Sequence, residues 1–280
     1  MRPSTHRRLL ACGLASLLTI SGPVHAGGPA FKVCADPNNP PFSDDKGQGF
    51  ENKIAEAFAK ALGQKLEYTW FPQRLGFIRN TLKAKIEDSE EYKCDVVMGV
   101  PEGYELTATT PAYYRSTYAL VYAKGKGLDG IKTPADLDRL PADQKAKLRI
   151  AMFDGAPGTT WLLNHGLIGQ GIPYQTMTGD VSTNTAQTLD QDFKAGKIDM
   201  VIVWGPIAGY LASRNPLALI PMKSEPGLKF DFPISMGVRF PDKERKAQLE
   251  GLLKSKAGEI QATLKEYKVP LVDAQGNPLP

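Results

Sequence analysis

Side chains that commonly carry catalysis are scarce in this sequence. A single histidine, His165, follows residue 26, and it stands near the end of a predicted helix in WLLNHGL, where an imidazole meets the helix dipole favourably. No Ser-His-Asp triad can form without another histidine, and the sequence contains neither a G-x-S-x-G motif nor a Cys/His cluster with zinc spacing. We therefore expect a binding protein rather than an enzyme, with no metal site and no cofactor.

Two other patterns match ligand sites only by letter. The segment GKGLDG (125–130) fits G-x-G-x-x-G, but the following helix is predicted to begin later, at Thr133, so the glycines indicate a flexible connector. The acidic residues 88–91 lie between a predicted helix and a predicted strand. A solvated loop is the simpler interpretation of this run, and a docking or hard-cation contact is the alternative.

The N-terminus has the pattern of a secretory signal peptide. Residues 1–26 combine a basic start, an apolar run over residues 9–20 and small residues before a cleavage site after Ala26, and the run is too short to cross a membrane. Cleavage there removes three of the 34 basic residues and none of the 30 acidic ones, which leaves a net charge of about +1. Such a charge gives no argument for a nucleic-acid partner.

Two cysteines, Cys34 and Cys94, remain beyond the predicted cleavage site, in the apolar runs FKVCA and KCDVVMGV. Export places them in an oxidising compartment, where two thiols usually form one disulfide. The bridge requires the two runs to be neighbouring strands, and the alternative is a pair of buried free thiols.

Polar candidates for a binding cleft stand where predicted strands end and predicted helices begin. Asp36, Asn38 and Asn39 in ADPNNPPFS follow the first predicted strand, where open α/β sheets bind ligands, although a rigid turn is an equal alternative. Thr159 and Thr160 stand at the start of a predicted helix in APGTTWLLNHG, whose free backbone N–H groups can hold an anion. A plain N-cap by one threonine is the other interpretation.

Aromatic side chains form a second set of candidates. Trp204 closes the predicted strand DMVIVW, where it would stack on a ligand in a cleft, and WFPQRLGF combines aromatic residues with Arg74, as interfaces often do. Core packing is the alternative for each of them. We expect the cleft rim to accept a large, partly apolar guest with Arg74 as its polar anchor. The aromatic rim candidates are Trp70, Phe71, Tyr104, Tyr113, Tyr114 and Trp204.

The elements that must position these residues alternate between strand and helix. FKVCA, LEYTWF and CDVVMGV are predicted strands, separated by a helix over GFENKIAEAFAKALG (49–63) and a second helix over FIRNTLKAK (77–85). The same alternation restarts after residue 125, which indicates two units with parallel strand–helix–strand connections.

Two long apolar segments, STYALVYA and FPISMGVRF, flank the second unit and are predicted to cross between the units. The C-terminal helical segment, with a break near Gly258, would then return to the first unit. The predicted division places residues 27–122 and 235–280 in lobe 1 and residues 123–234 in lobe 2, with a cleft between them.

A family resemblance is carried by five segments: CADPNNPPFS, YTWFPQRLGFIRNTL, CDVVMGVPEGYELTATTPAYYRSTYALVY, GAPGTTWLLNHG and VIVWGPIAGYL. They closely resemble the quinoprotein-dehydrogenase-associated periplasmic binding proteins, the MxaJ/XoxJ family of J proteins from bacterial methanol-oxidation clusters. The resemblance covers essentially the whole chain beyond residue 26, and residues 70–122 are its most specific part. It implies the α/β, two-lobed type II periplasmic binding protein fold, with a hinge of two crossing strands.

The resemblance also indicates which ligand chemistry is missing. Amino-acid binders of the broader superfamily place an arginine after the Pro-Glu of the first lobe, whereas this sequence has Gly103 after Glu102. They often place an aspartate after a second-lobe strand, whereas this sequence has Trp204. The helix-start threonines, Thr159 and Thr160, are present. Because a ligand charge buried without a partner costs several kcal/mol, a common amino acid is expected to bind poorly.

The function implied by the resemblance is that of an accessory protein. Such a protein would act in the maturation or activation of a periplasmic methanol dehydrogenase that contains pyrroloquinoline quinone (PQQ), with the cytochrome c of that enzyme as a second candidate partner. We expect a periplasmic monomer with no membrane partner, of either the calcium-linked or the lanthanide-linked branch. The alternative is a solute receptor that delivers a small ligand other than an amino acid to an importer.

Overall fold

The computed structural model describes residues 29–176 and 181–280, so the predicted signal peptide lies outside the described residues. The strands are β1 (Phe31–Ala35), β2 (Asn38–Asn39), β3 (Ser43–Asp44), β4 (Leu66–Trp70), β5 (Val96–Pro101), β6 (Ala108–Thr109), β7 (Tyr114–Thr117), β8 (Ala119–Ala123), β9 (Ile150–Phe153), β10 (Gly171–Tyr174), β11 (Met200–Val203), β12 (Leu217–Pro221) and β13 (Asp231–Val238). The α-helices are α1 (Phe50–Leu62), α2 (Phe77–Asn80), α3 (Ala142–Lys145), α4 (Pro157–Asn164), α5 (Thr185–Lys194), α6 (Gly205–Arg214), α7 (Lys243–Ser255) and α8 (Ala257–Glu266). Short 3₁₀ helices span Pro134–Arg139 and Ile168–Gln170.

The first sheet has the strand order β4-β1-β5-β13-β6, and β7 also pairs with β13. Strands β4, β1 and β5 are parallel to one another, as strand–helix–strand connections require, whereas β13 is antiparallel to β5. The central strand β1 is almost wholly apolar, with Phe31 and Val33 fully buried, because helices cover the sheet.

The second sheet has the order β10-β9-β11-β8-β12 and repeats this arrangement. Strands β10, β9 and β11 are parallel, and β8 is antiparallel to both β11 and β12. Separate apolar clusters pack around the sheet, one that includes Trp161 and Phe230 and another that includes Phe153 and Leu189. A sheet covered by helices explains why MVIV and ALVYA are continuously apolar.

The chain passes between the sheets twice. Strand β7 ends at Thr117 and β8 begins at Ala119, so the first change of sheet falls at Tyr118. The chain returns between β12 and β13, and the two connections are bonded to each other. The N–H of Tyr118 donates to the carbonyl of Phe230 (3.0 Å), and the N–H of Met222 donates to the carbonyl of Tyr118 (2.8 Å).

These changes of sheet differ in position from the predicted lobe boundaries. Residues 119–122, assigned to lobe 1, pair with β11 and β12 of the second sheet. Residues 231–234, assigned to lobe 2, pair with β7 and β5 of the first sheet. The segment STYALVYA does cross, because Ser116 and Thr117 pair in the first sheet and residues 119–123 pair in the second. The segment FPISMGVRF belongs to β13 of the first sheet, so the return crossing takes place before it, between β12 and β13.

Helix α1 illustrates how the sequence pattern produces an element that positions a cleft. It begins after Gly49, buries Ile54 and Phe58 on the stripe predicted from their spacing, and ends at Gly63, whose φ of 63° suits glycine. Helix α8 packs against α1, and buried Leu264 joins the same apolar cluster as Phe31. The C-terminal helices therefore lie on the first sheet.

Of two predicted helical segments, one differs in length from the structure and the other agrees with it. The helix predicted over residues 77–85 ends at Asn80, because Thr81 leaves the helical region of backbone space and its hydroxyl donates to the carbonyl of Phe77 (2.6 Å). The break predicted near Gly258 is confirmed: it occurs at Lys256, between α7 and α8.

The predicted disulfide between Cys34 and Cys94 is confirmed. Strands β1 and β5 are neighbours, Cys94 lies just before β5, and the two Cα atoms are 5.4 Å apart. The bridge lies in an apolar cluster with Leu82 and Val97, so it holds the chain that follows α2 against the first sheet.

Candidate functional site

The carboxyl ends of the parallel strands in both sheets face a common cleft, where α/β sheets generally bind ligands. Two cavities occupy this cleft and share Asn39 and Gln73 in their walls. The polar cavity, of about 340 Å³, is lined by residues that include Asp36, Asn38, Asn39, Gln73, Arg74, Phe153, Tyr174, Asn184 and Thr188. The aromatic cavity, of about 470 Å³, is lined by Asn39, Phe42, Glu51, Gln73, Gly99, Pro101, Tyr114, Tyr118, Trp204, Phe232 and Ile234.

In the polar cavity, Asp36 organises the loop that follows β1. Its Oδ1 accepts a hydrogen bond from the backbone N–H of Asn38 (2.8 Å), and its Oδ2 accepts one from the backbone N–H of Gln73 (2.6 Å). The side chain of Gln73 in turn accepts from Nδ2 of Asn39 (3.0 Å). One carboxylate thereby joins the ends of β1 and β4, which explains both the turn and the cleft position expected for Asp36.

The cleft is bridged by hydrogen bonds between the two sides. Nδ2 of Asn184, the N-cap residue of α5, donates to the carbonyl and to Oδ1 of Asn38, both at 3.2 Å. Nδ2 of Asn38 donates to the carbonyl of Ser182 (3.0 Å). Oδ1 of Asn184 accepts from the N–H of Gln187 (2.9 Å), so this side chain caps a helix and closes the cleft at the same time.

Three aromatic residues from different elements, Tyr118, Trp204 and Phe232, form part of the wall of the aromatic cavity. Trp204 makes edge-to-face contacts with Tyr118 (5.5 Å between ring centroids) and Phe232 (6.0 Å), and Tyr118 also meets Phe232 (6.5 Å). Trp204 comes from the end of β11, Tyr118 from the first change of sheet and Phe232 from β13. Both interpretations of Trp204 therefore apply. Its side chain packs against the apolar core of the first sheet and also lines the aromatic cavity.

One carboxyl group, that of Glu51 in the first turn of α1, lines the same cavity. Its side chain makes no hydrogen bond and no ion pair with any residue that the structure describes, and burial raises the pKa of its carboxyl to about 8. The space it occupies is provided by Gly99 of β5, where an added Cβ would lie 2.3 Å from Oε1 of Glu51. Glycine is therefore needed at position 99 for close approach rather than for an unusual backbone angle.

The titratable neighbours of Glu51 are tyrosines. Burial raises the pKa of Tyr113 and Tyr114 well above the usual value, and the nearby Glu51 carboxylate raises both pKa values further. Burial likewise raises the pKa of Tyr118 and of Tyr68 on β4. These phenols stay neutral at physiological pH, so Glu51 is the titratable group that changes charge near neutrality in this wall of the cleft.

The structure brings together part of the predicted site. Asp36, Asn38, Asn39 and Arg74 line the polar cavity, and Tyr114 and Trp204 line the aromatic cavity.

The remaining candidates lie elsewhere. Trp70 stacks on Tyr68 (4.4 Å between centroids) beside the core of the first sheet, and Phe71 and Tyr104 pack around the disulfide cluster. The hydroxyl of Tyr113 donates to the carbonyl of Met98 (3.0 Å). In each case the aromatic ring packs against the protein, which was the alternative interpretation.

Three polar residues that were predicted to bind a ligand, Thr159, Thr160 and Glu102, line neither cavity. Oγ1 of Thr159 donates to the carbonyl of Phe153 (2.7 Å), and exposed Thr160 lines neither cavity. Oε1 of exposed Glu102 accepts from the N–H of Ala112 (3.2 Å). The side chains of Thr159 and Glu102 therefore stabilise turns in this structure.

Several residues that line the cleft were missed by the sequence interpretation, and the most informative are Glu51, Tyr118, Asn184 and Phe232. A signal for Glu51 was present, because it precedes Ile54 by three residues and Phe58 by seven, which places a carboxyl on the buried stripe of α1. Tyr118 stands in a connection, Asn184 at a helix start and Phe232 next to the first residue of β13, where periodicity gives little indication of orientation.

The acidic residues 88–91 behave as the solvated loop of the simpler interpretation. Glu91 pairs with Lys32 (3.0 Å) and Glu90 pairs with Lys85, all with substantial exposure of the acidic side chain. Within residues 29–176 and 181–280, no cluster of three or more His, Cys, Asp or Glu side chains is arranged to hold a metal ion. None of the helices in the same ranges combines the length and the apolar character needed to cross a membrane.

Comparison with known proteins agrees with this architecture. Residues 55–212 match the family model for the substrate-binding domain of ABC-type glycine betaine transport systems. The protein MoxJ of Paracoccus denitrificans is 27% identical over 277 residues, which cover 93% of this chain and 96% of MoxJ.

Two crystal structures extend the comparison to the fold. The periplasmic binding protein XoxJ of Methylobacterium extorquens AM1 is 35% identical with a TM-score of 0.68, and MxaJ of Methylophaga aminisulfidivorans MPT is 25% identical with a TM-score of 0.69. In both cases the match covers 87% of this chain and 100% of the other. The predicted type II periplasmic binding protein fold is thereby confirmed, and the chain belongs to the MxaJ/XoxJ family of periplasmic binding proteins.

Proposed function

We propose that this protein is a non-catalytic, periplasmic accessory factor of a PQQ-dependent methanol dehydrogenase, and that its cleft binds a segment of that enzyme. The observation that carries the proposal is the character of the cleft, in a chain whose full-length relatives are XoxJ and MxaJ. Several aromatic side chains, among them Tyr118, Trp204 and Phe232, line it, and such residues contribute most of the binding energy at protein interfaces.

The cleft gives little support to binding of a free amino acid. Gly103 is exposed in a turn with a φ of 77°, and its N–H donates to Oγ1 of Thr109 (3.1 Å), so no side chain reaches the cleft from this position. Trp204 stands where an ammonium partner is usual, and the hydroxyl of Thr159 is bonded to the carbonyl of Phe153 at the end of β9. A larger guest with apolar groups fits these walls better than a compact zwitterion.

The test is binding to purified methanol dehydrogenase from the same organism, measured by biolayer interferometry and by co-purification from native periplasm. Arg74→Ala and Trp204→Leu should each weaken binding about tenfold or more, equivalent to about 1.4 kcal/mol. Arg139→Ala is the matched control, because Arg139 is exposed on a 3₁₀ helix that lines neither cavity.

Circular dichroism separates a lost contact from a lost fold in these variants. Wild-type protein that fails to bind the dehydrogenase, together with a strong thermal shift on addition of a small metabolite, would favour the alternative of an importer's solute receptor. Variants that remain folded and bind like the wild type would place the contact surface outside the cleft.

A further inference from the structure

The aromatic cavity combines a carboxyl group, that of Glu51, with a lining that consists mainly of apolar and aromatic side chains. Glu51 places a carboxyl group in a wall that is otherwise largely apolar, and no described residue neutralises it. Removing a carboxylate from water without a partner is strongly unfavourable, so such groups are generally paired or protonated. Gly99 nevertheless leaves the space into which this carboxyl fits.

The other lining residues identify the missing partner. Phe42, Tyr114, Tyr118, Trp204 and Phe232 line the cavity, and its described lining residues include no lysine or arginine. Nζ of Lys229 lies 5.0 Å from the ring centroid of Phe232, but Lys229 is not a lining residue. Aromatic rings attract organic cations through their quadrupoles, and the attraction increases when the cation is removed from water. A carboxylate and several rings around one cavity therefore match a guest that is positively charged and partly apolar.

We propose that the aromatic cavity binds an organic ammonium group, with the Glu51 carboxylate as its counter-ion and Tyr118, Trp204 and Phe232 as its aromatic wall. The guest is a net cation rather than a zwitterion, since a carboxylate on the guest would meet Glu51 and find no cationic side chain among the lining residues. The inference stands whether or not the dehydrogenase binds the cleft.

Binding of such a guest has a defined effect on protons. Glu51, with its pKa raised to about 8, is mostly protonated at pH 7, so a cation that pairs with the carboxylate releases more protons at pH 7 than at pH 9. Affinity should therefore be about tenfold greater at pH 9 than at pH 7.

The other groups that face Glu51 do not alter this expectation. Tyr68 on β4, Tyr113, Tyr114 and Tyr118 have pKa values raised above the ordinary phenol value, so they remain neutral across this range. Asp36 and Arg74 line the adjacent polar cavity.

The experiment is isothermal titration calorimetry with tetramethylammonium, whose charge does not depend on pH, in buffers of different ionisation enthalpy. Neutral tert-butanol, of similar shape, and zwitterionic glycine betaine serve as comparison ligands. We expect tetramethylammonium to bind the wild type at least tenfold more tightly than either, with proton release at pH 7. Glu51→Gln should lose at least tenfold in affinity at pH 9, whereas Glu105→Gln, which changes an exposed carboxylate, should not.

Several results would overturn the proposal. They are absence of tetramethylammonium binding at pH 9, equal binding of tert-butanol or glycine betaine, an affinity unchanged between pH 7 and pH 9, or wild-type affinity in a folded Glu51→Gln variant. The ligand comparison and the pH dependence use wild-type protein, so they decide the matter even if the variant does not fold.

An ammonium group can come from a free amine or from a lysine side chain of a protein that enters the cleft. Purified methanol dehydrogenase that competes with tetramethylammonium would assign the group to a lysine. Unchanged ammonium binding in the presence of the dehydrogenase would assign it to a free amine.

Discussion

The carboxyl group of Glu51 occupies the space that a side chain at position 99 would need. A Cβ at Gly99 would lie 2.3 Å from Oε1 of Glu51, well inside van der Waals contact, although the backbone of Gly99 is ordinary extended strand. The two positions are thus coupled: a bare strand residue on β5 permits a carboxyl on α1 to line the cleft.

Gly99→Ala should therefore move the Glu51 carboxyl rather than unfold the protein. We expect overpacking to lower the free energy of unfolding by about 1–2 kcal/mol, with a clear loss of tetramethylammonium affinity. Chemical denaturation and calorimetry measure the two effects. Gly130→Ala is the matched control, because a Cβ there meets no atom within 4 Å. If a Gly99→Ala variant kept the wild-type affinity for tetramethylammonium, the space at position 99 would not be needed for Glu51 to bind the cation.

Glu51→Gln should change how stability depends on pH. Because burial raises the carboxyl pKa from 4.5 to about 8, the folded protein holds a proton that the unfolded chain releases between these values. Wild-type stability should fall, relative to the variant, as pH rises from about 4.5 to about 8, and the difference should level off above that.

The full pKa shift corresponds to about 5 kcal/mol, and because water enters the cavity we expect about 2–5 kcal/mol between the two ends of the range. Urea denaturation of both proteins from pH 5 to pH 9 measures the difference. Parallel curves for wild type and Glu51→Gln would mean that the carboxyl is not desolvated.

Asn38 and Asn184 should control opening of the cleft. Asn184→Ser keeps a hydroxyl that can cap α5 but removes the amide that donates to Asn38, whereas Asn184→Ala removes both. We expect Asn184→Ser to unfold at close to the wild-type temperature and Asn184→Ala to lose about 1 kcal/mol.

Small-angle X-ray scattering measures how far the cleft opens in the same proteins, through the radius of gyration. Both Asn184 variants and Asn38→Ala should show a larger radius of gyration than the wild type in the absence of any guest. Unchanged scattering in all three variants would show that the cross-cleft hydrogen bonds do not hold the closed arrangement.

The Cys34–Cys94 disulfide should make a large contribution to stability. It closes a loop with a sequence separation of 60, for which chain entropy predicts about 4 kcal/mol. Urea denaturation of oxidised protein and of a Cys34→Ser/Cys94→Ser double variant measures this term, and intact mass after non-reducing alkylation should show no free thiol. Two alkylated cysteines in protein from the periplasm would contradict the pairing.

The sequence predicted the elements well where one physical rule dominated. Alternating apolar runs and helical stripes gave the parallel strands and α1, and the cysteine pattern gave the bridge, because burial and export constrain those residues strongly. The end of α2 was missed, since periodicity does not reveal that the backbone of Thr81 leaves the helical region.

The cleft was predicted less completely because it depends on how two sheets face each other. Residues next to strand ends, such as Asp36 and Trp204, were found from topology alone. Tyr118 and Phe232 line the cavity only because the chain changes sheets beside them, and Glu51 does so only because Gly99 leaves room. Trp70 also stands near the end of a predicted strand, as Trp204 does, but its ring stacks on Tyr68 and does not line either cavity.

Common amino acids should not stabilise this protein. Their carboxylate would lack the arginine that Gly103 replaces, and the lining residues of the aromatic cavity offer it no lysine or arginine as a partner. A ligand present at 100 times its dissociation constant adds about 2.7 kcal/mol to the free energy of unfolding, which a thermal-shift assay detects easily. We expect no such shift from any of the twenty standard amino acids at low micromolar concentration, while millimolar tetramethylammonium at pH 9 serves as the positive comparison. A low-micromolar shift with any one of them would mean that the cleft satisfies both charges of a zwitterion, through groups other than Gly103 and Thr159.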